Sequence, residues 1–157
     1  MCGSADLAVI LELAPTPPGD HYVTADALDV PQPVYPMTLA MCERCGLAQL
    51  PDVVDPEILY GNYIYNTSIS LGLVRHFDRY AAAVLDRVAA PPGSLVVDIG
   101  SNDGTLLRAF KDRGMRALGV DPARAVARTA TDAGLETLPA FFTSTLAADL
   151  RRDRGPV

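Results

Sequence analysis

Two short stretches of the chain concentrate residues able to do chemistry. In MCERCGL, residues 41–47, Cys42 and Cys45 form a C-x-x-C pair followed by Gly46. That spacing brings two thiolates to one ion in the manner of a zinc knuckle, and structural zinc takes four ligands. Cys2, followed by Gly3, is the only other cysteine. Two thiolates leave the ion short of ligands, and where the rest come from is open. A frayed, unliganded Cys2 is the plain alternative.

The second stretch is VVDIGSNDGTLL, residues 96–107. A strand ends in Asp98-Ile99-Gly100, a tight turn follows, and a helix begins near Asp103. Gly100 and Gly104 let a ligand approach the backbone closely, and helix N–H groups point toward the same spot. Asn102 stands where many such loops carry a glycine, and Asn tolerates a left-handed backbone better than most residues with side chains. Asp121, 21 residues beyond Gly100, lies where a carboxylate grips ribose hydroxyls. Any strand-to-helix turn favours Gly, Asn and Asp; Asp121 is what tips the balance toward a cofactor. A nicotinamide dinucleotide needs G-x-G-x-x-G, and here the third glycine is missing while Asp103 sets a negative charge beside the pyrophosphate position. An acidic loop suits a cofactor with an amino group and a sulfonium, as in S-adenosylmethionine.

The elements that must position these residues fall into three stretches. Residues 1–68 are rich in proline and turn residues, with short strands expected at Ala8–Leu13, Met37–Met41 and Leu47–Leu50. This is the texture of a small metal-stapled module with little core. Across residues 69–92, Leu73, Val74, Phe77, Tyr80, Ala81, Val84, Leu85 and Val88 recur at helical spacing, and Pro91-Pro92-Gly93 ends the expected connector helix. His76 lies on this helix and is expected to face solvent or pack. Residues 93–157 alternate. SLVVDIG, MRALGVD and LETLPAFF read as strands. Helices are expected over Asp103–Arg113 with Gly114 as C-cap, from Pro122 to Ala133 ending at Gly134, and after a Thr143 or Ser144 cap. The βαβαβα order predicts an α/β fold, half of a doubly wound Rossmann-like sheet.

Bulk properties narrow the classes of function. The chain has 157 residues, 49% of them hydrophobic and 20% charged, the composition of a globular protein. A formal charge of −6 argues against a nucleic-acid surface. Arg151, Arg152 and Arg154 cluster instead in the expected last turn of a helix, where cations complement the dipole. No apolar run reaches the length needed to span a bilayer. The N-terminus lacks the layout of a signal peptide, so a cytoplasmic location is expected.

LVVDIGSNDGTLLRAFKDRGMRALGVDPA, residues 95–123, resembles the cofactor-binding half of class I S-adenosylmethionine-dependent methyltransferases. More narrowly, the chain resembles the bacterial NDP-sugar C-methyltransferases, in which a four-cysteine zinc module and an aromatic-and-serine segment precede the glycine loop. YPMTLAMCERCGLAQL is similar to the second half of that zinc module, DPEILYGNYIYNTSISLGLVRHFDRY to the segment leading into the connector, and TLPAFFTSTLAADLR to the third strand and its helix. The resemblance implies that Asp98, Gly100, Asn102 and Gly104 frame the methionine part of the cofactor and that Asp121 accepts from the ribose hydroxyls. It further implies that Phe142 lies along the adenine and that Tyr63, Tyr65 and Ser68 belong to a segment folded over the cofactor. For the two tyrosines, packing of the small module against the sheet is an equal alternative.

The same resemblance implies a chain short at both ends. Cys2 would align with the second cysteine of the module's first pair, so the resemblance implies a donor set of Cys2, Cys42 and Cys45 with His21 or a water molecule as the fourth ligand. The first cysteine of the module would precede residue 1, and the remaining strands would follow residue 157, leaving SLVVDIG with an apolar edge, a poorly soluble chain and a place for a C-terminal half to pair. The acid/base residues of such enzymes would lie in that second half, so no catalytic residue is expected among these 157. The expected activity is C-methylation of a nucleotide-activated deoxysugar. Two other readings compete: a non-catalytic zinc-binding interaction module with a vestigial Rossmann half, and part of a nicotinamide-dependent oxidoreductase.

Overall fold

The computed structural model describes residues 2–156. The chain divides into two compact units, one running to Leu59 and the other starting at Tyr60.

The first unit is built on an antiparallel sheet of β1 (Leu7–Thr16), β2 (Tyr35–Cys42) and β3 (Ala48–Gln49), in that order. Leu7 pairs with Cys42 and Met41 with Ala48, so both flanks of the cysteine knuckle are held in register. β1 runs further than expected and carries Pro15, which an edge strand accepts because the missing N–H serves no ladder. Register shifts beside Val9 and between Leu13 and Thr16 absorb the irregularity. Within this unit only Ala40 and Cys42 are fully buried hydrophobic residues among those described. The boundary between the units falls in a short helix, α1 (Pro56–Tyr60).

The second unit is α/β. α2 (Leu71–Val88) leads into β4 (Leu95–Ile99), α3 (Thr105–Lys111), β5 (Arg116–Val120), α4 (Arg124–Asp132), β6 (Thr137–Leu138) and α5 (Ser144–Arg154). The three strands form a parallel sheet in the order β4-β5-β6. One face carries Val96 and Ala117 under α2, α3 and α4: Ala81, Ala109, Phe110 and Met115 form one cluster there, and Leu107, Ala130 and Leu135 another. On the opposite face Leu95, Val97, Leu118, Val120 and Leu138 pack with Leu146 and Leu150 of α5. Alternation along β4 and β5 thus serves both layers, as a two-faced parallel sheet requires.

Several boundaries differ from the sequence-based expectations, each for a local reason. α3 starts at Thr105 rather than Asp103, because Asn102 and Gly104 both take the left-handed conformation, at φ 51° and 78°. α4 starts at Arg124, not at Pro122; the Asp121 carboxylate accepts the Ala123 N–H at 2.8 Å and holds a turn before the helix. β6 is only two residues long, since Pro139 has no N–H to extend the ladder. On α2 the buried stripe is narrower than the eight apolar positions suggested: Val74, Tyr80 and Val88 are exposed, while Ala81 is fully buried. The Thr143 cap is as expected, its hydroxyl accepting the Leu146 N–H at 3.1 Å. Arg151, Arg152 and Arg154 occupy the last turn of α5.

Candidate functional site

The first candidate centre is the cysteine triad. Cys42 closes β2, and the chain then turns through Gly46 at φ 74° so that Gly46 N–H meets the Cys42 carbonyl and Cys42 N–H meets that of Leu47. Glu43 N–H donates to the Asp6 carbonyl, which ties the stretch carrying Cys2 to the knuckle. The three thiol sulfurs lie within 4.8 Å of one another, and Cys2 Sγ is 3.7 Å from Cys42 Sγ. A tetrahedral zinc with Zn–S near 2.3 Å requires sulfurs roughly 3.8 Å apart, so the donor set fits that ion. Backbone N–H groups of Arg44 and Cys45 hold the Cys42 thiol below its ordinary pKa. At Cys2 the Ser4 amide lowers the pKa, but hydrogen bonding with the Cys45 and Cys42 thiols outweighs it and leaves the group raised. His21 does not join the group: its ring Nε2 meets the Ile58 carbonyl oxygen at 2.8 Å. Among the described residues, then, the chain supplies three ligands.

The second centre is the turn between β4 and α3. Gly100 sits at φ 76° with open space where a side chain would be, whereas a Cβ on Gly104 would strike Leu135. Gly100 leaves its backbone accessible; Gly104 lets α3 pack on the loop before β6. Gly100 N–H and Ser101 N–H both donate to the Val120 carbonyl, which fixes the turn to β5. Asp121 is buried, and its two carboxylate oxygens accept the N–H groups of Asn102 and Ala123, each at 2.8 Å. Asp98, half-buried in β4, takes no such support. Burial and then the charge of Asp121 push its carboxyl above the ordinary value. Two carboxylates within electrostatic reach, one of them unsupported, make a site that favours a cationic group.

Side chains of the turn hold a further segment of the second unit. Asn102 Oδ1 accepts the Thr67 N–H at 3.0 Å and the Thr67 hydroxyl at 3.2 Å, while Nδ2 donates to the Tyr65 carbonyl at 2.8 Å. Asp103 accepts the Ser68 N–H at 2.8 Å and the Thr105 hydroxyl at 2.6 Å. Burial raises the Asp103 carboxyl, but the hydrogen bonds from Thr105 and Ser68 outweigh it and leave the pKa lowered. The rings of Tyr60, Tyr63 and Tyr65 follow one another at 6.3 and 6.4 Å between centroids.

The structure thus brings Asp98, Gly100, Asn102, Gly104 and Asp121 to one turn, with Tyr65 and Ser68 bonded to it through their backbones. The Tyr65 and Ser68 side chains are exposed. Phe142 lies beyond β6, partly exposed, in a cleft of about 540 Å³ along the β4 edge lined also by Val97, Ile99, Ala147 and Leu150. Thr67, buried and doubly bonded to Asn102, is the member that the sequence did not single out; its only signal was the polar run Asn66-Thr67-Ser68 before a helix.

Residues 1–60 match the Methyltransf_13 family model, described as "Putative zinc binding domain". The chain is 32% identical over 155 residues, 99% of its own length, to the C-methyltransferase NovU of Streptomyces niveus, and it spans 37% of the length of that relative. A crystal structure of a "Putative methyltransferase from antibiotic biosynthesis pathway" of Anabaena variabilis aligns over 40% of this chain and 26% of that one, at 22% identity and a TM-score of 0.36. Residues 1–60 are thus similar to that zinc-binding family, and the similarity to a C-methyltransferase extends over nearly the whole chain.

Proposed function

We infer that the chain is the zinc-module and cofactor-holding part of a methyltransferase, that the β4–α3 turn holds S-adenosylmethionine, and that the enzyme C-methylates a nucleotide-activated sugar. The observation that carries this reading is the carboxylate pair at the turn. Asp98 is half-buried and, among the described residues, has no hydrogen bond to offset its burial, beside a buried Asp121 whose oxygens already organise the loop backbone. A pyrophosphate there would meet like charge, whereas an ammonium or sulfonium would relieve it.

The division of labour follows from the geometry. Gly100 offers an open backbone surface for the methionine part, beside Asp98. Asp121 retains lone pairs beyond the two spent on backbone N–H groups and is the acceptor for ribose hydroxyls. Phe142 supplies an exposed ring for the adenine. When bound, S-adenosylmethionine supplies an electrophilic methyl group. The residues on this chain bind and orient it, and the catalytic gain they offer is positional. Cys2, Cys42 and Cys45 would hold zinc as a structural staple, since the unit that carries them has little hydrophobic core among its described residues. The reading places the enzyme in the cytoplasm, where thiols remain reduced and available to metal.

Calorimetric titration with S-adenosylhomocysteine tests the reading. Wild-type protein is expected to bind it, Asp121→Ala to bind at least about tenfold more weakly, and NADH to give no saturable heat. An isotherm with NADH and none with S-adenosylhomocysteine would favour the oxidoreductase alternative; silence with both would favour a bare zinc module.

A further inference from the structure

Asn102 is the residue at which the turn departs from glycine, and its backbone lies at φ 51°. Glycine adopts that conformation without strain, so a turn that needed only its shape would have no use for an amide side chain. Here the side chain is engaged at both its oxygen and its nitrogen. It accepts from Thr67 N–H and Thr67 Oγ1 and donates to the Tyr65 carbonyl, so two backbone groups of one segment close on one amide. Asp103 adds the neighbouring Ser68 N–H. On the other side, the Asn102 N–H is itself held by Asp121 Oδ2 at 2.8 Å. A continuous line of hydrogen bonds therefore runs from Asp121 through the Asn102 peptide and amide to the segment Tyr65–Ser68.

We propose that Asn102 is a positioning residue: it clamps the Tyr65–Ser68 strap onto the glycine turn and couples occupancy at Asp121 to the ordering of that strap. A ligand that fixes the Asp121 carboxylate fixes the Asn102 peptide, and with it the three bonds that Asn102 makes to the strap. The coupling rests on the cofactor reading above; the clamp does not. Asn102 then contributes to ligand affinity without touching the ligand, and the exposed Tyr65 rides on the segment that it secures.

Residue-resolved hydrogen exchange on the whole chain, with and without S-adenosylhomocysteine, tests this. In Asn102→Gly the Thr67 amide is expected to exchange about three- to tenfold faster, the effect of its lost hydrogen bond, while the melting temperature falls only modestly because relief of the left-handed backbone offsets part of the lost bonds. Asn102→Asp keeps an acceptor for Thr67 but cannot donate to Tyr65, so Thr67 protection is expected to return. Saturating ligand is expected to slow Thr67 and Ser68 exchange in the wild type but not in the glycine variant, which binds about tenfold more weakly. Wild-type exchange at Thr67 in Asn102→Gly would overturn the clamp. Faster exchange with an undiminished ligand response would overturn the coupling. If wild-type protein binds no S-adenosylhomocysteine, the cofactor reading and the coupling fall together, and the Thr67 rates still decide the clamp.

Discussion

At the scale of single residues, the turn holds two carboxylates with opposite fates. Asp103 gains hydrogen bonds that outweigh its burial, whereas Asp98 has burial and a like charge and nothing against them. The linkage at Asp98 has a definite sign. Its folded-state pKa lies above the unfolded value, so the folded protein binds the proton more tightly. Stability therefore falls as pH rises from near 3.8 through the raised folded value, and stays lower above it. Asp98→Asn removes this penalty and loses no hydrogen bond. The variant is expected to melt higher than wild type at pH 7, with the gap closing toward pH 3, in paired thermal scans. It is also expected to bind S-adenosylmethionine and S-adenosylhomocysteine more weakly, since both carry the amino group that the Asp98 carboxylate faces in this reading, so a gain in stability accompanies a loss of function. Equal melting temperatures at pH 7 would mean that Asp98 carries no strain. The left-handed backbone at Asn102 was legible from residue type, because few side chains tolerate that region. Its engagement with Thr67 was not, because that bond joins residues 35 apart.

At the scale of elements, strand and helix order was legible from residue 70 onward, where apolar periodicity changes from 3.6 to continuous runs and glycines mark the ends. What escaped was everything set by contacts across elements. MRALGVD reads as a strand, but nothing in it discloses why β5 carries Gly119. In the structure a Cβ at that position would meet Ser101 Oγ from the turn, Thr137 Oγ1 from β6 at 2.7 Å and Leu107 Cδ1 from α3 at 2.9 Å. Three elements converge on one absent side chain. Gly119→Ala is expected to cost about 1–3 kcal/mol by overpacking, measured by urea denaturation, and to weaken ligand binding because Ser101 belongs to the turn. A cost under about 0.5 kcal/mol would show that the turn yields freely. The short β6 and the late start of α4 likewise depend on Pro139 and Asp121 acting locally, and periodicity does not weigh such effects.

At the scale of the whole molecule, the two units differ in what holds them together. The sheet of the second unit has buried clusters on both faces, whereas the described part of the first buries only Ala40 and Cys42 among its hydrophobic residues. A small unit with so little core needs a staple, and the thiol triad is the one it offers. The protein is therefore expected to bind about one zinc per chain, read by atomic emission. A strong chelator, or Cys42→Ser, should abolish a separate low-temperature unfolding transition while leaving that of the α/β unit in place. Metal retention should weaken as pH falls, because the thiolates are protonated in competition with zinc. A chelated protein with both transitions intact would contradict the staple. The C-x-x-C pair made this module legible from sequence. The role of His21 was not, since its ring is taken up by the Ile58 carbonyl and lies outside the triad.

The central claim is that the turn after β4 receives a sulfonium cofactor. Crystals soaked separately with S-adenosylmethionine and with NAD test it most directly. The account predicts density for the sulfonium compound with its ribose on Asp121 and its amino group toward Asp98, and an empty turn in the dinucleotide soak. A dinucleotide lying across Gly100 while the sulfonium compound leaves no density would contradict it.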